Sequence, residues 1–147
     1  MKIFAIDAGT ENSAFVIYKT GGGIIDHGIV PNTEMRQLLI GREYDLVSCE
    51  MIACYGMPVG ASTFVTCLWI GRFMEVARTE FLLVYRKDIK LFLCGSMRAK
   101  DANIRQALID RLGPQGTTKN RGATYGIKSH TWAALAVAVF TAETKTK

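Results

Sequence analysis

At 147 residues the chain is long enough to bury one core, and 49% apolar against 21% charged residues argue against a disordered chain. A formal net charge of +5 favours an anionic partner. The apolar stretch Thr131–Ala142 is too short to span a bilayer, and Met1–Ile6 runs into Asp7 too soon for a signal peptide, so a soluble cytoplasmic protein with no membrane partner is expected.

Lys2–Ala8 alternates around a continuous apolar run. Ser13–Lys19 follows after a short Gly-containing turn, and Ile24–Val30 after Gly21–Gly23. Three short strands joined by tight turns predict an antiparallel meander. Pro31-Asn-Thr opens a short helix across Glu34–Ile40, with Asn32 or Thr33 as its cap. Asp45–Met51 is a strand apolar enough to be central. After the Gly56–Gly60 loop, Ala61–Arg78 reads as a long helix, with Phe64, Cys67, Leu68, Gly71 and Val76 as its expected buried side. Phe81–Tyr85 is a further strand, followed by a short helical stretch near Asp88–Leu93. Lys100–Leu112 is amphipathic, with Ile104, Ala107, Leu108 and Leu112 on one face and Gly113-Pro114 as its stop. Gln115–Gly126 is polar, basic and Gly-containing, which predicts a mobile loop. Ser129–Thr144 is a closing helix, apolar on nearly all sides and therefore buried. Antiparallel strands first and helical crossovers later predict an α/β fold: one mixed five-stranded sheet flanked by helices, in a single domain over residues 1–147.

Two carboxylates stand where burial is costly. Asp7 ends a strand containing Phe4 and Ile6; Gly9 and Thr10 follow, so an ordinary turn aspartate is the alternative. Glu50 ends the Asp45–Met51 strand, sharing a face with Leu46 and Ser48, while Val47, Cys49 and Met51 take the other. Carboxylates on neighbouring central strands repel unless a cation sits between them. Mg²⁺ takes carboxylate oxygens and keeps water, and two such ions can activate water and stabilise the leaving oxygen in phosphodiester cleavage. His130 lies in the first turn of the closing helix; alone it is a packing or capping residue. Cys49, Cys54, Cys67 and Cys94 show no CxxC spacing and read as small core residues, not as a zinc site.

The segments F-A-I-D-A-G-T, S-C-E-M and S-H-T-W-A-A-L-A-V-A, in this order and spacing, resemble the RuvC-type Holliday junction resolvases. E-M-I-A-C-Y-G-M-P-V-G and C-G-S-M-R-A-K-D-A-N-I-R-Q-A-L-I-D-R-L-G-P are most similar to phage-encoded members, and the likeness covers almost the whole chain. It implies a ribonuclease H-like domain, usually a homodimer, that cuts four-way DNA junctions by paired Mg²⁺-dependent nicks in a bacterial cell or phage-infected host. Asp7 matches the family's first-strand catalytic aspartate and Glu50 the glutamate ending its fourth strand. His130 falls where the last helix carries an aspartate or, in some members, a histidine, which makes all three catalytic and metal-holding. Many members have a further aspartate where this chain has Ala133. Asp101 is the candidate substitute, with helix capping as its alternative role. A neutral imidazole in place of a carboxylate favours Mn²⁺ over Mg²⁺.

Lys87, Lys90, Arg98 and Lys100, and then Lys119, Arg121 and Lys128, are candidate phosphate contacts. Tyr55, with Met57 and Pro58 beside it, is a candidate for stacking on an unpaired base at an opened junction. Phe64, Leu68, Trp69 and Phe73 offer more apolar area than one sheet needs, which points to a dimer contact. Two rival readings carry different consequences. I-D-A-G-T also resembles the first phosphate loop of actin-like and sugar-kinase ATPases, which predicts ATP binding. Ala133 fits a catalytically dead junction-binding protein, which predicts binding without metal-dependent cutting.

Overall fold

Alternation along the first strand sends Ile3 and Ala5 to one side of a sheet and Phe4 and Ile6 to the other, and all four are fully buried. A strand with no polar face needs helices on both sides, and the computed structural model, which describes residues 1–145, has them. The strands are β1 (Lys2–Asp7), β2 (Asn12–Lys19), β3 (Gly23–Pro31), β4 (Leu46–Met51) and β5 (Phe81–Tyr85). They form one sheet in the order β3-β2-β1-β4-β5. β1 pairs antiparallel with β2, and β2 with β3; β1 and β4, and β4 and β5, run parallel. The expected mixed five-stranded sheet is the one observed.

Helices α1 (Asn32–Gly41) and α2 (Ala61–Val76) cover one face, closing a core of Phe4, Ile6, Met35, Leu39, Val47 and Phe73. Helices α3 (Arg86–Cys94), α4 (Asp101–Leu112) and α5 (Thr131–Lys145) close the other core, around Ile3, Ala5, Val16, Leu108 and Leu135. α5 is the principal piece: its alanines let it lie close over β1 and β2, and Leu135, Val137 and Val139 are buried among the strands. Each such side chain contributes about 1.5–3 kcal/mol by leaving water. A hydrogen bond of 2.7 Å between the buried Ser48 and Thr141 hydroxyls ties β4 to the same helix.

Two expectations need correction, and the loop expected over residues 115–126 gains detail. α2 buries Thr66, Ile70 and Phe73, whereas Phe64 and Leu68 are 61% and 63% exposed. The two sets are offset by two residues, or about 200° around the helix. An apolar helix without a polar stripe does not announce its inner side. Cys54 is exposed, so it is not a core residue. Residues 115–126 hold no helix or strand, yet they fold back on themselves through a Gly116–Arg121 bridge and a Gly122 N–H to Gln115 carbonyl bond. A Cβ on Gly122 would stand 1.8 Å from the Pro114 carbonyl oxygen, so this closure requires glycine.

Asn32 is also not a cap; α1 starts without any side-chain cap bond. Its buried amide instead braces the turn after β1. Ser13 Oγ donates to Asn32 Oδ1 at 2.5 Å, Asn32 Nδ2 donates to the Gly9 carbonyl at 2.9 Å, and the Gly9 N–H donates to Ser13 Oγ at 3.1 Å. The same turn brings the Asn12 carbonyl oxygen to 2.3 Å from where a Gly9 Cβ would be. Asn32→Ala leaves the Ser13 hydroxyl and the Gly9 carbonyl without this partner. We expect a loss of about 1–3 kcal/mol in denaturant unfolding, with the slope unchanged.

Candidate active site

Because β1 and β4 are parallel, their C-terminal ends lie at the same edge of the sheet. Ile6 pairs with Cys49, and one step further come Asp7 and Glu50, on the face that α5 covers. β5 is parallel as well, with Tyr85 opposite Met51, so Arg86, the first residue of α3, emerges beside Glu50. α5 starts over the same edge. Ser129 adopts a left-handed φ of 51°, unusual for a residue with a side chain, and reverses the chain just before the helix. The Thr131 hydroxyl bonds to the Lys128 carbonyl and accepts the Lys128 N–H, which closes this turn. His130 is thereby set with Nδ1 3.0 Å from Asp7 Oδ2.

The result is a cleft of about 420 Å³ lined by Asp7, Glu50, Arg86, Asp101, Arg105, Ser129, His130 and Ala133, with Ile104 and Trp132 as apolar wall. Asp7, Glu50 and His130 therefore open into one space, and Asp101 joins them across it. Asp101 does not cap α4: the Lys100 N–H is taken by the Asn103 side chain, and the Asp101 carboxylate accepts from Arg86 Nη2. Arg86 Nη1 also donates to both oxygens of Glu50, each at 3.2 Å.

Asp7 and Glu50 are only 18% and 13% exposed in their side chains. Burial pushes the Asp7 carboxyl above its ordinary range, against the pull of His130 and Arg86. Burial raises Glu50 too; Arg86 opposes this, and the negative charge of Asp7 adds to it. The Cys49 thiol, on the opposite face of the sheet, is held protonated by burial and by these same carboxylates.

Among the described residues no group of three or more His, Cys, Asp and Glu stands in a ready metal-holding arrangement. The donor chemistry nevertheless fits a hard divalent cation. Two carboxylates are desolvated side by side, the negative charge of Asp7 raises Glu50 further, and an imidazole is in contact with the first. The His130 ring lies against Asp7, and the Arg86 guanidinium balances the charge of Glu50.

The expected DNA contacts divide into groups. Tyr55, Lys87 and Lys90 line a second groove that shares Glu50 and Arg86 with the cleft. Tyr55 is exposed, in a left-handed conformation with φ 49°, and the Lys87 ammonium lies 5.5 Å from its ring centre. Arg98 and Lys100 are exposed on the turn leading to Asp101. Lys128 lines a separate hollow with His27 and Ile29, and Arg121 lies 4.8 Å over the Tyr125 ring, with Lys119 exposed nearby in the chain. Sequence reasoning missed Arg86 and Arg105. For Arg86 a signal existed: it is the first charged residue after the apolar strand F-L-L-V-Y, whose end belongs to this edge.

No protein-family model and no curated protein sequence matches the chain. Solved structures do resemble it. Thermus thermophilus RuvC aligns with a TM-score of 0.75 at 17% identity, over 99% of this chain and 98% of that one. T. thermophilus RuvC in complex with a Holliday junction substrate aligns with a TM-score of 0.74 at 15% identity, over 97% and 93%. At such identities the likeness is one of fold, and the fold is the ribonuclease H-like α/β fold of RuvC.

The raised carboxyls have a consequence for stability. Unfolded Asp7 ionises near 3.8 and the folded residue at higher pH, so the native state holds a proton that the unfolded chain has lost. Stability contributed by this residue falls as pH rises through that window, and the penalty persists above it. Asp7→Asn removes the penalty. In chelator at pH 7 the variant should melt above the wild type, by about 2–4 °C per kcal/mol recovered, with the difference closing as pH falls toward 3.8.

Proposed function

We propose that this chain is a metal-dependent endonuclease of four-way and related branched DNA. The observation that carries the reading is the convergence of Asp7, Glu50 and His130 on one cleft at the shared end of two parallel strands. The whole-length likeness in fold to a protein solved with a Holliday junction substrate supports it. So does the basic groove that adjoins the cleft.

In this reading Asp7, Glu50 and His130 hold Mg²⁺ or Mn²⁺, which when bound supplies an acidified water and neutralises charge on the scissile phosphate. Asp7 and Glu50 act as carboxylates, and their partial burial keeps them from being swamped by solvent. His130 aligns Asp7 through the Nδ1 contact. Lys90 and Lys87 take phosphates along the groove, and Tyr55 offers an exposed ring for an unpaired base. Arg98, Lys100, Lys119, Arg121 and Lys128 extend the positive surface beyond it.

The exposed face of α2 completes the proposal. Phe64, Val65 and Leu68 form an exposed apolar patch on the side of α2 turned from the sheet. A second copy related by a two-fold axis would cover it and present two clefts to opposing strands.

A labelled four-way junction is the direct test. Wild type should nick it when a divalent ion is added, faster in Mn²⁺ than in Mg²⁺ because the donor set includes an imidazole. Asp7→Asn should be at least about a hundredfold slower while binding the junction as before, since even outer partners of metal ligands are worth 10–100-fold. Junction binding with no cutting in either metal would leave a binding protein in place of a nuclease.

Leu68→Asp should shift the chain from dimer to monomer in sedimentation, weakening association at least about a hundredfold. Two buried leucines per dimer are lost, at about 1.5–3 kcal/mol each. A wild type that is monomeric at tens of micromolar removes the dimer from the proposal.

A further inference from the structure

We infer that the guanidinium of Arg86 takes the place of a second cation in the cleft, so that the site accepts one divalent ion per chain. The inference rests on the metal-dependent reading given above and specifies how many ions the site takes. Three carboxylates line the cleft, Asp7, Glu50 and Asp101. Two ions about 3.5–4 Å apart would have to draw on these same three carboxylates. Arg86 already engages both oxygens of Glu50, each at 3.2 Å from Nη1. The other arm of the same guanidinium holds Asp101. Arg86 thus spans two of the three carboxylates in the cleft, and a guanidinium keeps its charge throughout the working pH range.

Charge balance points the same way. The cleft carries three carboxylates against the guanidinium groups of Arg86 and Arg105, a formal charge of −1 that a single divalent ion already outweighs. A second ion would add two further positive charges. The Arg105 guanidinium lies 5.4 Å over the Trp132 ring on the same wall. The absence of a carboxylate at Ala133, which also lines the cleft, removes a further donor. The geometry also gives Arg86 a use. Its Glu50 partner is 13% exposed and its Asp101 partner 78%, so the Asp101 contact is the one open to exchange. A planar fork of N–H donors held on Glu50 suits a phosphate oxygen that takes the place of Asp101.

Mn²⁺ binding to the DNA-free protein, followed by calorimetry and by the loss of free-Mn²⁺ electron paramagnetic resonance signal, tests this without turnover. Wild type and Arg86→Lys should bind one ion per chain. Arg86→Gln should bind two, its second site at least tenfold tighter than any second binding in wild type, with circular dichroism confirming the fold. Two ions in wild type, or one in a folded Arg86→Gln, would overturn the inference and leave the metal-dependent reading standing. No binding to any of the three would overturn both. Should Arg86→Gln fail to fold, wild type and Arg86→Lys still decide: two ions in either refutes the assignment, and one in both upholds it.

Discussion

Everything at the cleft depends on the parallel pairing of β1 with β4. That pairing carries two strands to the same edge of the sheet and sets Asp7 abreast of Glu50 on the face roofed by α5. Water would screen such a pair, but α5 and its neighbours remove much of the water, so the repulsion has to be met locally. The protein meets it with hydrogen-bonding and charged groups of its own. An imidazole from the start of α5 faces one carboxylate, and a guanidinium from the start of α3 faces the other. Each arrives because its helix begins at that edge, a consequence of strands that all end there.

The same device creates a tension between stability and chemistry. Burial that pushes both carboxyls toward protonation works against folding at neutral pH, and the sheet and α5 must make up the difference through apolar packing. The continuous run of buried residues from Trp132 to Val139, broken only by the half-buried Ala133, is where that packing is concentrated. A helix this apolar has no solvent face to spare, because it is wedged between the strands on one side and α3 and α4 on the other.

The strands were legible in the sequence because each carries its own turn signals and its own alternation, and β1, β4 and β5 fall within a residue of where those signals place them. Asp7 and Glu50 were legible because a carboxylate among Phe4, Ile6, Val47 and Cys49 contradicts its surroundings. His130 became a candidate only through family resemblance, since nothing local distinguishes it. The inner side of α2 was not legible: with apolar residues nearly all round, the choice of Ile70 and Phe73 over Phe64 and Leu68 is made by the sheet, not by the helix. Asn32 failed as a cap for a related reason. Its partners, Ser13 and Gly9, are set by the register of β2 against β3, which no local pattern encodes. Arg86 was harder to read, because its partners Glu50 and Asp101 are brought to it by other elements of the fold.

The contact between Asp7 and His130 joins residues 123 positions apart, the first strand to the last helix. A polypeptide emerging from the ribosome can zip up its opening meander early, since β1, β2 and β3 are neighbours in sequence. It holds an unroofed, half-built acidic edge until the final helix docks. The cleft is therefore incomplete until the segment carrying His130 and α5 has been made, and a product terminated before it carries the carboxylates without the lid or the imidazole. The wiring of the fold acts as a quality check on whatever chemistry the cleft performs.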